Sequence, residues 1–233
     1  MNYLLEVCLT IALATGIMPS LVAQSNPDAV AMMRKGISVQ MPVTRTAMPM
    51  PDADKEDATV VIITEDGSVY LGLNPTDADA VAGSVRDALT SHPNKKVYIK
   101  ADARAPYSQV LLVLAALRAA GVEAPSLLTS QPHTTASGTL LPPEGLEVLV
   151  DPRRSLSSPA IVQLSQQRSV LKVNGEPVLR ASLQNRLAQF FQNRSDKIVQ
   201  IEADGSLSFA VVVDVIDGCR AAGAKVVLAT PTL

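Results

Sequence analysis

Few side chains in this sequence combine a reactive type with a setting that could use it. The first is Glu6. From Val7 to Ala23 the chain carries no charge, and Glu6 stands at the head of that run. An ionised carboxylate inside an apolar helix costs on the order of several kcal/mol, so such a group is held neutral, paired or put to use. A carboxyl kept neutral by desolvation, and ionised when a wet path opens, is a proton carrier. The plainer reading places Glu6 at headgroup level, because only five residues precede it.

A second set comes as two matching pairs. Asp102 and Arg118 recur as Asp204 and Arg220 in a repeated stretch of chain. Each aspartate falls where a strand should hand over to a helix. That position suits an Asx-type turn that satisfies backbone donors, and it also suits a partner contact. Each arginine falls late in a helix, where a cation favours the dipole. These four residues are the candidate partner or dimer contacts. Cys219 takes the place of Leu117 on an apolar stripe and reads as core, while Cys8 lies in the apolar N-terminal run, too far off for a plausible bridge. His92 and His133 lie in Pro-flanked stretches with no second ligand nearby, so no metal site is expected. Glu65-Asp66 and Glu56-Asp57 sit on turn-like or linker segments, and Tyr107 and Phe209 read as helix anchors. The sequence has no P-loop, G-x-S-x-G, H-E-x-x-H or G-x-G-x-x-G motif. It reads as a non-enzyme that needs no cofactor.

Composition agrees. There are 20 Lys+Arg against 22 Asp+Glu, a net charge of −2, which gives no basic surface for nucleic acid. Three Phe, four Tyr and no Trp leave little for a stacking platform. The mean hydropathy of +0.21 is high for a soluble domain and points to a membrane or targeting segment. The stretch from Tyr3 to Ala23 would span about 30 Å as a helix, the thickness of a bilayer core. Two readings stay open. Pro19 followed by Ser20-Leu21-Val22-Ala23 resembles a signal-peptide cleavage region, but no positive n-region precedes it and Leu21 is bulky. A retained anchor is the alternative, with no positive cluster to fix its cytoplasmic side.

The elements that must position these residues are written twice. Shifted by 102, the stretch 97–121 lies on 199–223 with ten of 25 positions identical, including Ala101, Asp102, Arg118 and Gly121. In the first copy TVVIIT and SVYLGL read as strands around an Asp66-Gly67 turn. Asp77–Thr90 carries Val81, Val85 and Leu89 at helical spacing. VYIKA follows as a strand, Pro106 opens a helix with Tyr107, Val110, Leu111, Leu114 and Leu117 on one stripe, Gly121 stops it, and SLLT closes. The second copy offers AIVQLS, then SVLKV with Asn174-Gly175, then a helix through Leu179, Leu183, Leu187 and Phe190. IVQIEA, a helix with Phe209, Val212, Val213, Ile216 and Cys219, and KVVLAT complete it. The expected fold is mixed α/β (α+β): tandem β-β-α-β-α-β modules after an N-terminal transmembrane helix or signal-like segment. The boundaries read as an anchor or signal peptide at 1–24, an extended Pro-rich linker at 25–57, a first domain at 58–131, a linker at 132–144 and a second, divergent domain at 145–233.

The order LLEVCLTIAL, GISVQMP, Pro-rich linker, VVIITEDGSVYLGLNP and VYIKADARAPYSQVLLVLAALRAAGV resembles the ExbD/TolR family of biopolymer-transport proteins. The family's signature of strand, "AD", aromatic, helix and "aG" is carried by Ala101, Asp102, Tyr107, Ala120 and Gly121. The resemblance implies an inner-membrane protein with one pass and most of its chain in the periplasm. It implies an ExbB- or TolQ-like channel subunit and a TonB- or TolA-like transducer as partners, a homo-oligomer, and drive by the proton gradient. Glu6-Val7 falls on the family's membrane aspartate, which makes Glu6 the proton relay candidate. Three departures accompany the resemblance. The anchor stands immediately behind Met1, where family members usually carry a short tail; Tyr3-Leu4-Leu5 replaces the usual proline-containing pair; and Thr10, Thr15 and Gly16 interrupt the aliphatic run. The second periplasmic copy is a further difference, since family members usually carry one.

Overall fold

The apolar runs become strands and the 3.6-residue patterns become helices, as a computed structural model shows for residues 37–91, 95–130, 142–150, 158–166 and 170–231. The apolar N-terminal segment with Glu6 and Cys8 lies outside the described residues, as do His92 and His133. The chain divides into Met1–Lys35 and Gly36–Leu233, and all that follows concerns the second unit. Among the described residues no helix is long and apolar enough to cross a membrane.

In chain order the first half has β1 (Met48–Pro49), β2 (Thr59–Ile63), β3 (Val69–Leu71), β4 (Asn74–Thr76), α1 (Ala78–Ser91), β5 (Val97–Ala101), α2 (Tyr107–Ala119) and β6 (Ser126–Thr129). The second has β7 (Glu144–Glu147), β8 (Ala160–Leu164), β9 (Val170–Val173), β10 (Glu176–Leu179), α3 (Leu183–Phe190), β11 (Ile198–Ala203), α4 (Phe209–Ala221) and β12 (Lys225–Leu228). One sheet runs β1-β7-β6-β5-β2-β3-β4, the other β10-β9-β8-β11-β12. In each, three adjacent strands are parallel (β6, β5, β2 and β12, β11, β8) and a hairpin is added antiparallel. The mixed α/β fold in two modules is therefore as the sequence implies.

Two element-level expectations are corrected. Each module has a third hairpin strand, giving β-β-β-α-β-α-β. In the first, Gly72 has φ +61° at the first position of a two-residue turn, which folds Asn74–Thr76 back on Val69–Leu71. In the second, Asn174 and Gly175 both have positive φ, the requirement of a type I′ turn, and this fixes Val173 opposite Glu176. The ladder then continues to Leu179 opposite Val170, so Leu179 ends a strand at 62% exposure instead of starting a helix. Its i, i+4 spacing to Leu183 mimics a helical stripe, but the hairpin register decides. Both outer hairpin strands carry a proline, Pro75 and Pro177, a residue sheets tolerate at edges.

The helix ends repeat as faithfully as the strands. After α2, Gly121 has φ +89°, its N–H donates to the Arg118 carbonyl at 3.0 Å, and Val122 N–H donates to Leu117 at 2.9 Å. After α4, Gly223 donates to Arg220 and Ala224 to Cys219. Both are Schellman motifs, which satisfy carbonyls the helix leaves unpaired.

Buried residues of the two modules belong to one continuous core. Helix α2 is apolar nearly all round, with Tyr107, Val110, Val113, Leu114, Ala115, Ala116 and Leu117 buried, because a sheet covers one side and helices the rest. A small second core of Met50, Tyr98 and Leu128 lies on the opposite face of the first sheet.

Candidate functional site

The modules meet where the sequence repeats "AD". Neither α2 nor α4 has a side-chain cap. The first amides of each helix are instead capped by the other module's loop. Tyr107 N–H donates to the Leu207 carbonyl at 2.8 Å and Ser108 N–H to Gly205 at 2.9 Å. Reciprocally, Phe209 N–H donates to Ala105 at 2.9 Å and Ala210 N–H to Ala103 at 2.9 Å. These are the orphan donors of a helix N-terminus, and the exchange gives the copies a two-fold relation. Tyr107 and Phe209 are fully buried beside it, as helix anchors should be.

The arginines also cross between modules. Arg118 Nη1 donates to Thr230 Oγ1 at 3.0 Å, just past β12, and Arg220 Nη1 donates to the Glu147 carbonyl at 3.1 Å, in β7, which the fold places in the first module's sheet. Both sit in the last turn of their helices, where the dipole also favours a cation.

The two aspartates, equivalent in sequence, differ in work. Asp102 is 3% exposed. Its Oδ1 accepts from the Arg104 amide and Nε, each at 3.0 Å, and its Oδ2 accepts from Arg104 Nη2 at 3.1 Å and Gln40 N–H at 2.9 Å. The Arg104 guanidinium, with the amides of Arg104 and Gln40 behind it, holds the carboxyl down to about 2 against the desolvation that would raise it. Asp204 is exposed and makes an Asx turn, its Oδ1 accepting from Ser206 N–H at 2.8 Å and Oγ at 2.7 Å. The Ser206 amide holds its carboxyl below the usual range.

Gln40 brings in a feature the sequence did not reveal. The described part of the Pro-rich segment, residues 37–57, is a strap bound along the first module. The Ile37 carbonyl accepts from Lys100 Nζ at 3.2 Å, the Gln40 carbonyl from Ala103 N–H at 2.7 Å, and the Pro42 carbonyl from Ser130 N–H at 2.9 Å. Thr44 N–H returns a bond to the Ser130 carbonyl, and the hydroxyls of Thr44 and Thr129 share one at 2.8 Å. The strap then reaches the second module, where Asp217 of α4 accepts from Arg45 N–H at 3.0 Å and Thr46 N–H at 2.8 Å. It comes back as β1 against β7 and buries Met50. Burial depresses the pKa of Lys100 beneath it.

The second module has the same edge without a strap among the described residues. It opens there as a groove of about 480 Å³ lined by Gln163, Glu202, Asp204, Ala229, Thr230 and Pro231, with Leu164 and Ala203 behind. The sequence reading missed Gln40, Asp217 and this groove. The signal available was Asp217, an acid on the stripe where the first copy has Ala115. Among the described residues no cluster of His, Cys, Asp and Glu is placed to hold a metal.

A family model described as biopolymer transport protein ExbD/TolR matches the chain twice, over residues 29–132 and 130–232. No curated protein matches it.

Proposed function

The chain belongs to the ExbD/TolR family, and from that premise we propose that it is the membrane-anchored accessory subunit of a proton-motive-force-driven biopolymer-transport energy transducer. Membership alone gives an accessory role in such a transducer, in a family whose proteins are not enzymes. The anchor, the proton and the partners are the proposal. Tyr3 to Ala23 holds the chain in the inner membrane with residues 25–233 in the periplasm. Glu6 carries the proton beside an ExbB- or TolQ-like channel subunit. The tandem modules face a TonB- or TolA-like transducer and associate as a homo-oligomer. The observation that carries the reading is the double family match, which spans both modules and begins at residue 29, beyond the apolar run of residues 7–23 that a single acid heads. The arrangement of the modules is consistent with it, since each caps the other's helix and the strap bonds to both.

One feature favours a second reading. Pro19 and the small residues Ser20 and Ala23 suit signal cleavage, which would free an adaptor protein without proton coupling. Intact-mass measurement of the exported chain separates the two. The anchored subunit retains Met1–Ala23, fractionates with membranes and leaves them only in detergent. A mass lacking those residues removes the anchored reading.

A further inference from the structure

The strap residue Gln40 is gripped by both its backbone groups. Its N–H donates to Asp102 Oδ2 and its carbonyl accepts from Ala103 N–H. Strand pairing fixes which residues of the second module correspond. Ile99 lies between Val61 and Leu127, and Ile201 between Val162 and Leu228. Counting outward, Asp102 corresponds to Asp204, Ala103 to Gly205, Lys100 to Glu202, Thr129 to Thr230 and Ser130 to Pro231. The grip is therefore present a second time. Asp204 uses Oδ1 for its own turn, and among the described residues neither its Oδ2 nor the Gly205 N–H is engaged.

The chemistry around the second grip has changed sign. Where Lys100 meets the Ile37 carbonyl, the second module places Glu202, oriented by Gln163 Nε2 at 3.0 Å and Gln200 Nε2 at 3.2 Å. Where Arg104 neutralises Asp102, Ser206 stands beside Asp204. Among the described residues no lysine or arginine lines the groove, and Arg118 meets it only through Thr230 Oγ1. Pro231 has no N–H to offer in place of that of Ser130, so backbone pairing is shorter here and charge must supply more of the affinity. The outer face is polar as well, with Gln163, Gln200 and Glu202 where the first sheet has Ile62, Tyr98 and Lys100.

We propose that this groove binds an extended peptide of a partner protein, gripped at one residue by Asp204 Oδ2 and the Gly205 N–H, with a lysine or arginine about three residues before it paired with Glu202. The peptide lies as the strap lies on the first module, with a cation in place of the strap's apolar residue. The inference goes beyond the transport reading and depends on neither the anchor nor Glu6.

The test uses the full chain in detergent micelles and two fluorescein-labelled peptides read by anisotropy. Both copy residues 36–42, one with Ile37→Lys and one with Ile37→Glu. The lysine peptide should bind about tenfold more tightly than the glutamate peptide, the scale of one close charge pair. Glu202→Lys should reverse that order, Glu202→Gln should abolish the difference, and Asp102→Asn should leave it intact. Unchanged circular dichroism of the Glu202 variants keeps the comparison valid. Equal binding of the two peptides, or a preference that survives Glu202→Lys, overturns the proposal. So does loss of binding only in Asp102→Asn, which would mean exchange with the strap. Self-association abolished by Glu202→Lys in sedimentation would assign the groove to a second copy and overturn the partner assignment.

Discussion

Replacing Asp102 by asparagine should separate two residues that the sequence makes equivalent. Arg104 holds the folded carboxyl, almost wholly buried, down to about 2, against about 3.9 for an aspartate in an unfolded chain. That gap corresponds to about 2–3 kcal/mol of stability at neutral pH, less a discount because the facing Arg104 side chain is half exposed. In a unit of this size the loss lowers the melting temperature by roughly 5–10 °C. The sign follows from a depressed pKa. The stabilisation is complete above about pH 5 and is lost as pH falls through about 4 towards 2, so parent and Asp102→Asn should converge in acid. Asp204→Asn removes only a solvent-exposed turn and should melt nearly as the parent does. Thermal unfolding by circular dichroism at pH 7 and pH 3 measures both. Amide exchange at Ala103, whose N–H is capped by Gln40, should accelerate in Asp102→Asn alone. Equal losses for the two variants, or a pH-independent loss for Asp102→Asn, would refute the assignment of Asp102 as the strap's anchor.

Other consequences are as concrete. Phe209→Ala empties a fully buried position beside the exchanged caps and should cost about 3–5 kcal/mol, seen as one cooperative transition shifted down in denaturant titration. Asp217→Ala leaves the amides of Arg45 and Thr46 without their acceptor, which costs about 1–3 kcal/mol and should raise exchange at those two amides first. Gly145→Ala would put its Cβ 2.5 Å from the Leu127 carbonyl oxygen, so β7 must move off β6, and melting should fall by several degrees. Burial pushes the Cys219 thiol up to about 12, so mass mapping after iodoacetamide at pH 8 should find its peptide unlabelled until urea unfolds the chain.

The parts of the fold that the sequence made legible are those governed by local chemistry. Gly121 and Gly223 mark helix ends because only a left-handed residue closes a Schellman motif. Val81, Val85 and Leu89 mark a helix face because Gly83 and Asp87 stand at the positions a half-buried strand would make apolar. Leu179 misled because i, i+4 spacing survives in a strand that a turn four residues earlier has already registered. The strap was hidden for a different reason. Most of its bonds are made by backbone groups, those of Gln40, Pro42 and Thr44 among them, which leave no trace in side-chain type. Its presence could have been suspected from the partner surface. The strands of the first sheet are apolar on both faces, with Val60, Tyr98 and Leu128 turned away from the helices, whereas Gln200 and Glu202 in the second sheet alternate with Val199 and Ile201. A sheet apolar on both sides needs a second cover, and one that alternates does not. Of the candidate residues, Arg118 and Arg220 were legible as a pair, but their reach across the modules depended on a packing that periodicity cannot give.

The central claim proposed is that an acidic side chain at the head of the apolar run carries the proton that drives the two modules. The most direct measurement compares cells whose only copy of the chain is the parent, Glu6→Asp or Glu6→Gln, in growth that requires the proton-driven transport, at matched amounts of protein in the membrane. Glu6→Asp should support growth and Glu6→Gln should fail. Growth of the glutamine variant at the parental rate would contradict the account.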